Sequence, residues 1–596
     1  MEGFNMKSFT LKLIKGSWFM MFASFLIMSM AGIPYMFGLY SSTIKTVLGY
    51  DQTTLNFISF FKDVGTTVGV VAGLINEVTP PWSILAMGAA LNFFGYFMIW
   101  LSVSKKISTH VWLMCLYICV GANATTFANT GALVTCVKNY PQRRGVVIGI
   151  LKGYMGLSGA IVTQLYHAIY GKDEKSLILL LGWLPAAVSL VFLPTVRRMK
   201  VEHEEDELKV FYRFLYISLG LAGFLMIMII LQQKFSFDRG EFGGSAAVVT
   251  FLLLLPIAVV VAQEFKSWRR LNKPAALENG ISPSPGSPPL KNTTPISLLP
   301  KKPKSQQQEP IKTEWWKNVF NPPPRGDDWT ILQALFSFDM FLLFLATACG
   351  VGGTLTAIDN LAQIGQSQDY PKKSISTFVS LVSIWNYLGR VMAGFLSEHL
   401  LIKYKFPRPL MLTIVLLLSC IAHLLIAFNP SGGLYIASIL TGYCYGAQWP
   451  LLFAIVSEIF GLKYYATLYN FGSVASPVGL YLLNVNVAGY LYDKEAKKQL
   501  SMAGKIRKTG EELVCNGTVC FKLSFVIITA VSLFGALVSL VLVLRTKKFY
   551  KSDIYKKFKE AEEAAAEEEE EKNDDGRVVR NGGGGLMEET KHGLKQ

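Results

Sequence analysis

Lys62 and Asp63 stand side by side in an otherwise apolar run, and Lys152 stands in another beside Gly145, Gly149, Gly153 and Gly156. An ionised side chain inside a bilayer costs at least about 2.5 kcal/mol on insertion scales unless water or a partner meets it. Lys62 and Asp63 fall about six or seven residues from one end of their run, roughly 10 Å deep at helical rise, and Lys152 is about as far from the opposite end of its own. Two readings stay open for each site: a place where a solute or coupling ion binds, or lysines that snorkel to the interface and an aspartate that pairs locally. Glycines at three- and four-residue spacing let helices approach closely, and a cation on such a helix points toward an inner cavity rather than lipid. An ammonium there is suited to hold a carboxylate or another anion by charge-assisted hydrogen bonds.

Uncharged polar groups join these candidates. Tyr35 and Tyr40 lie beside Gly32 and Pro34. A later run carries Asn123, Thr125, Thr126, Asn129 and Thr130, and its counterpart near the other end of the chain carries Tyr443, Tyr445 and Gln448. Such groups either line a cavity or serve as hydrogen-bond glue between helices, and both readings stay open. His167 and His423 are unlinked and suggest no metal site. No phosphate-binding loop, nucleophile elbow or metal-ligand cluster is present, so neither an enzyme nor a cofactor is expected.

The elements that must position these residues are long and apolar. The 596 residues are 51% hydrophobic and 16% charged, with a net charge of +16. Fourteen stretches are long enough to cross a bilayer: 18–40, 56–76, 82–103, 111–136, 145–169 and 177–195, then 211–231 and 245–263, then 340–361, 374–397, 409–428, 433–457, 464–490 and 522–544. The charges gather between them. Basic loops of this kind orient a chain in a membrane and lack the aromatic and basic interleaving of a nucleic-acid module, so the lipid bilayer is an expected partner and nucleic acid is not. The first span is too long for a cleaved signal. The loops with Lys138, Arg143 and Arg144, with Arg197, Arg198 and Lys200, and with Lys403, Lys405 and Arg408 share one face with Lys7, Lys12 and Lys15, which predicts cytoplasmic termini.

AGLINE at 72–77 recurs as AGFLSE at 393–398, an offset of 321 residues that also aligns 18–40 with 339–361 and 145–169 with 466–490. The offset places Asp339 at the cytoplasmic edge, opposite Trp18. Two six-helix halves in parallel orientation follow, with a site near the midplane between them. The expected division is a first half at 1–200, an extra helix pair at 201–263 packed peripherally, a cytoplasmic linker at 264–328, a second half at 329–545 and a charged tail at 546–596. The linker is rich in Pro, Ser, Lys and Gln, with Ser-Pro steps at Ser282, Ser284 and Ser287, and is expected to be disordered. Trp315 and Trp316 suit a lead-in along the membrane surface. The acidic run near 562–571 reads as a solvated tail.

Gly389, Arg390, Gly394 and Glu398, followed by Arg408, resemble the major facilitator signature, in which an acidic residue and arginines latch neighbouring helices. The first half keeps Gly73 and Glu77 but has Thr79, Pro80 and Pro81 where the arginines would stand. WFMMFASFLIMS at 18–29, YDQTTLNFISFFKDVG at 50–65, NEVTPPW at 76–82, RGVVIGILKGYMGLSGAI at 144–161 and CNGTVCF at 515–521 resemble the plant nodulin-like major facilitator proteins. The resemblance implies an all-α polytopic membrane protein with the major facilitator fold, whose first and fourth helices in each half line the cavity.

Cys515 and Cys520 occupy the outer loop before the last span, where an oxidising compartment permits a disulfide, and two free thiols are the alternative. Asn516 between them begins a glycosylation sequon. The expected function is a secondary-active transporter that moves a small polar or anionic organic solute by alternating access, with protons as candidate coupling ion. The alternative is a membrane sensor or scaffold that binds without transport. The plasma membrane is favoured over the endoplasmic reticulum and vacuole.

Overall fold

A segment that is apolar all round must satisfy its own backbone, which only a helix does in a single strand. The computed structural model is accordingly helical, with no strand among the described residues. The residues described are 6–50, 52–171, 173–199, 207–235, 237–271, 319–504 and 515–556. The Ser-Pro steps, Trp315, Trp316 and the acidic run of the sequence analysis lie outside them.

The first half begins with α1 (Met6–Lys15), which bends by 54° into α2 (Ser17–Met30). Pro34 lacks an N–H, and here the first span turns through a short 3-10 segment at Ile33–Met36 before α3 (Phe37–Leu48) resumes it. The half continues with α4 (Gln52–Thr67), α5 (Val70–Val78), α6 (Pro81–Val103), α7 (Val111–Ala128), α8 (Val134–Asn139), α9 (Arg144–Tyr170) and α10 (Glu174–Phe192). Between α7 and α8 the helix loosens into a π segment at Asn129–Leu133. Then comes the extra pair: α11 (Glu207–Lys234), α12 (Arg239–Leu254) and α13 (Pro256–Leu271), with α12 opened by a capping box of Asp238 and Glu241.

The second half holds α14 (Ile331–Leu335), α15 (Phe338–Asp359), α16 (Leu361–Ser367), α17 (Lys372–Tyr404), α18 (Arg408–Phe428), α19 (Gly433–Phe460), α20 (Tyr465–Ser473), α21 (Ala475–Leu480), α22 (Tyr490–Met502) and α23 (Val519–Lys551). A second π segment, Tyr481–Gly489, joins α21 to α22. Among the described residues thirteen helices are long and apolar enough to cross a membrane, and the bent pair at the N-terminus makes a fourteenth. The chain is a multi-pass membrane protein.

The halves meet through mirrored contacts. In the first half α5 packs on α20, and in the second α17 packs on α9. Glycine permits both approaches: a Cβ on Gly73 would lie 2.6 Å from the Cα of Thr467, and one on Gly149 would lie 2.7 Å from the Cα of Gly394. One apolar core runs across both halves.

Three boundaries differ from the sequence reading. The extra pair extends past residue 263 to Leu271, where Trp268 and Phe265 pack on Phe9 of α1. Residues 319–328 are seated on the second half, with Arg325 paired to Asp339 at 2.7 Å and the Trp329 amide donating to the Phe460 carbonyl, so the linker is shorter than 264–328. The start of the 546–596 tail belongs to the second half, because Tyr550 and Tyr555 are buried there. The extra pair is not peripheral either, since α11 lines the central cavity.

Candidate substrate cavity and its latches

A cavity of about 2060 Å³ lies between the halves. That exceeds the roughly 300–1,000 Å³ of an enclosed small-molecule pocket, as suits a vestibule open at one end. It reaches Gln366, Asp493 and Lys497, close to the loop in which Cys515 and Cys520 form a disulfide. Gln499 fastens that loop by two hydrogen bonds of 2.9 Å with the backbone of Asn516, whose side chain is exposed.

Lys152 lies at the floor. Its side chain is buried, and Nζ donates to Asn129 Oδ1 at 3.1 Å. The π segment that carries Asn129 puts this amide on the cavity side, a placement π-bulges often serve. Three rings of the other half face the ammonium: Phe453 at 4.7 Å, Tyr469 at 5.3 Å and Trp449 at 6.0 Å. Their negative faces stabilise a cation, though less than a carboxylate would. No carboxylate among the described residues pairs with Lys152. A second cation stands beside it, since Arg390 donates to the Lys152 carbonyl at 3.3 Å and to Asn386 Oδ1 at 2.9 Å, and both side chains line the cavity.

Higher up, Lys62 and Asp63 form an ion pair of 2.9 Å on the first half, and Asp359 of the second half lies close enough to feel both charges. Asn484 donates to Asp359 at 3.5 Å and accepts from Asn360 at 2.7 Å. Charges of both signs therefore ring the mouth, while the floor is cationic.

The opposite end is sealed. Asn470 donates to Thr130 at 2.8 Å, Arg144 to the Ser457 carbonyl at 2.6 Å and Lys138 to the Lys463 carbonyl at 3.0 Å, all from one half to the other. Two latches reinforce them. In the second-half latch Arg408, fully buried, lies between two carboxylates, Glu398 at 2.5 Å and Glu458 at 2.6 Å. It also donates to Ser397. Tyr550 donates to Glu458 at 2.8 Å and Tyr555 to Glu398 at 3.1 Å. Glu398 crosses to the other half, where it accepts from the Gly145 amide at 3.0 Å. That amide opens α9, so helix dipole and hydrogen bond act together. In the first-half latch Glu77 faces the Thr467 amide near the start of α20 and pairs with Lys138 at 3.6 Å.

These positions redistribute the residues singled out in the sequence. Lys62, Asp63, Asn129 and Lys152 line the cavity, and Asn123, Tyr443 and Gln448 do not. Asn123 of α7 bridges the Gly65 and Val68 carbonyls at 2.9 Å, and Gln448 of α19 donates to Thr354 of α15 at 3.4 Å: both are glue. The Tyr443 carbonyl is where Gly389 packs, which makes Gly389 a helix-contact residue rather than part of the latch. Arg390 belongs to the cavity, not the latch. The Tyr35 side chain lies outside the described residues. Glu458, Tyr550, Tyr555 and the first-half role of Lys138 were missed; the available signal was a charge two residues from the end of the apolar helix α19.

Residues 17–261 match the nodulin-like family model, and residues 330–552 match the model of the NFD4 C-terminal domain. Protein NUCLEAR FUSION DEFECTIVE 4 of Arabidopsis thaliana is 24% identical over 545 residues, which is 89% of each chain. Probable transporter MCH1 of Yarrowia lipolytica is 24% identical over 212 residues, 34% of this chain and 41% of that one. Among solved structures, the major facilitator proton:xylose symporter XylE bound to 6-bromo-6-deoxy-D-glucose superposes with a TM-score of 0.50 at 11% identity, over 89% of this chain and 95% of that one.

Proposed function

From the premise that this chain belongs to the nodulin-like family and has the major facilitator fold, we propose that it is a secondary-active transporter of an organic anion. The observation that carries this reading is the cationic floor. Lys152 and Arg390 sit at the closed end of a cavity between two halves, with no carboxylate among the described residues paired to Lys152, and that role is one a substrate anion fills. Low-dielectric walls concentrate the field of those cations toward the mouth, which raises the local concentration of anions.

Alternating access follows from the latches. Hydrogen bonds join the halves at the latched end, with the ion pairs inside each half holding their donors and acceptors in place, so breaking them opens that end while the mouth closes. The mouth carries Lys62 and Asp63 on one half and Asp359 on the other, groups able to pair across the gap when it narrows. We place the latched end on the cytoplasmic side, because the basic loops with Arg143, Arg197 and Lys405 lie there. This assignment puts both termini in the cytoplasm.

The test is uptake of labelled organic anions, amino acids and sugars into proteoliposomes, with and without an imposed pH gradient. Saturable uptake of an anion is expected, stimulated by an inward proton gradient, and Lys152→Gln is expected to reduce it at least about tenfold, the worth of one charge-assisted hydrogen bond. Ligand-induced stabilisation without movement of any solute would instead establish a sensor.

A further inference from the structure

Ala222, Leu225, Met226 and Ile229 of α11 line the cavity, with Gln232 one turn above them. Their spacing puts all five on one face of the helix. The two-half plan needs no such element, because the internal repeat is complete without α11, α12 and α13. A helix that merely covered the outside would bury this face against α9 and α17 and leave nothing of it in the cavity.

Hydrogen bonds fix the height of this wall relative to the floor. Ser218 of α11 accepts from Tyr387 at 2.8 Å, and Gly153 packs on the same tyrosine ring, 3.2 Å from the position of its would-be Cβ. Gly153 follows Lys152, so Ser218 lies at the level of the floor. At the other end Gln232 and Gln164 exchange two hydrogen bonds of 2.9 and 3.2 Å, and Ser245 donates to Gln164 at 2.8 Å. Both glutamines line the upper cavity. Thus α11 runs alongside α9 in the same direction, and its apolar face rises from just above Lys152 toward the mouth. From Ala222 to Gln232 the face is about 15 Å long at 1.5 Å per residue.

We infer that α11 is a wall of the substrate chamber, and that the substrate is an amphipathic organic anion, its charged group held at Lys152 and Arg390 and its apolar body along Leu225, Met226 and Ile229. This rests on the anion reading of the floor and adds to it the shape of the solute. A small hydrophilic anion would leave that wall wetted and uncontacted, whereas an alkyl or aryl carboxylate or sulfonate covers it. The extra pair then sets specificity, in a position that neither half supplies.

The experiment is binding of methane-, butane- and octanesulfonate, which stay ionised, to the full chain in nanodiscs, corrected against empty nanodiscs. Affinity is expected to rise at least about twofold per methylene, against roughly fourfold for full burial. Met226→Gln combined with Ile229→Thr makes that face polar without adding bulk, and is expected to flatten that dependence while methanesulfonate binds as before. Lys152→Gln is expected to weaken all three alike. Met226→Trp, which keeps the wall apolar but fills the groove, is expected to weaken octanesulfonate and spare methanesulfonate. Methanesulfonate binding with no chain-length dependence, or with a dependence that neither α11 variant alters, overturns the role of α11 and leaves the anion reading standing. Failure of every sulfonate to bind overturns both.

Discussion

In one half Glu398 accepts the Gly145 amide at the start of α9, and in the other Glu77 faces the Thr467 amide near the start of α20, an arrangement the 321-residue repeat makes equivalent. The charges behind the two carboxylates differ. Glu398 is backed by Arg408, which lies between it and Glu458, and exposures in this cluster are 2% or less. Glu77 pairs with Lys138 at 3.6 Å, with 12% and 11% of the two side chains exposed, and Arg198 stands near enough to add its charge. The fourth helix of each half ends on opposite signs, Lys138 in the first and Glu458 in the second. A planar guanidinium reaches several acceptors at once, and an ammonium on a flexible stem is a point charge. Repetition has therefore conserved the contact between halves while its support diverged, so the second-half latch is a rigid buried network and the first-half latch a partly wet pair.

The largest expected effect tests that inequality directly. Arg408→Met removes the cation from between two buried carboxylates and is expected to cost about 3–5 kcal/mol, the loss when one partner of a buried ion pair is removed. Lys138→Met is expected to cost less, about 1–3 kcal/mol, the loss when a largely buried polar group is left without its partner. Thermal unfolding of both variants in detergent gives the comparison. Equal losses would mean that the Arg408 network contributes no more than its simpler counterpart.

Conformation separates the latches next. Neutralising Glu398 by Glu398→Gln removes the charge at a buried helix start, worth up to about 2 kcal/mol, and is expected to shift the equilibrium toward a structure open at the latched end by roughly tenfold. Glu77→Gln acts on a wetter site and is expected to shift it by about twofold, the lower end of the same range. Spin labels at Arg143 and Lys405 would report the opening as a population of longer distances. A larger shift from Glu77→Gln would reverse the ranking.

Much of this arrangement was legible in the chain. Helices showed because an apolar run of about twenty residues has one structure in lipid, and the latch acids showed because AGLINE and AGFLSE repeat at a fixed offset. Arg390 was misassigned to the latch although it lies eight residues before Glu398, about 12 Å along the helix, a separation that the rise per residue already contained. Glu458 meets Arg408, Tyr550 meets Glu458 and Tyr555 meets Glu398 across 50, 92 and 157 residues of sequence, and no local pattern records such a meeting. The cavity face of α11 was invisible for another reason: a helix facing lipid on one side and a cavity on the other is apolar on both, so hydropathy does not mark which side is which.

The smallest effect concerns what, among the described residues, the second-half latch has and the first lacks, a tyrosine lid. Tyr555 donates to Glu398 at 3.1 Å and to Glu458 at 3.4 Å, and its ring lies 5.3 Å from the Arg144 guanidinium. Tyr555→Phe keeps the ring under Arg144 and loses only the hydroxyl, so the expected cost is about 1 kcal/mol. Burial, reinforced by the neighbouring Glu398 and Glu458, raises the phenol well above its ordinary value of 10. A group whose folded value is raised holds its proton more tightly when folded, so its stabilisation is complete below pH 10 and is lost as pH rises further. Unfolding measured in steps above pH 10 should therefore show a steeper fall for the wild type than for Tyr555→Phe, and the two curves should converge. Parallel curves would mean that the hydroxyl ionises alike in both states, and that the lid packs on the latch without being held by its carboxylates.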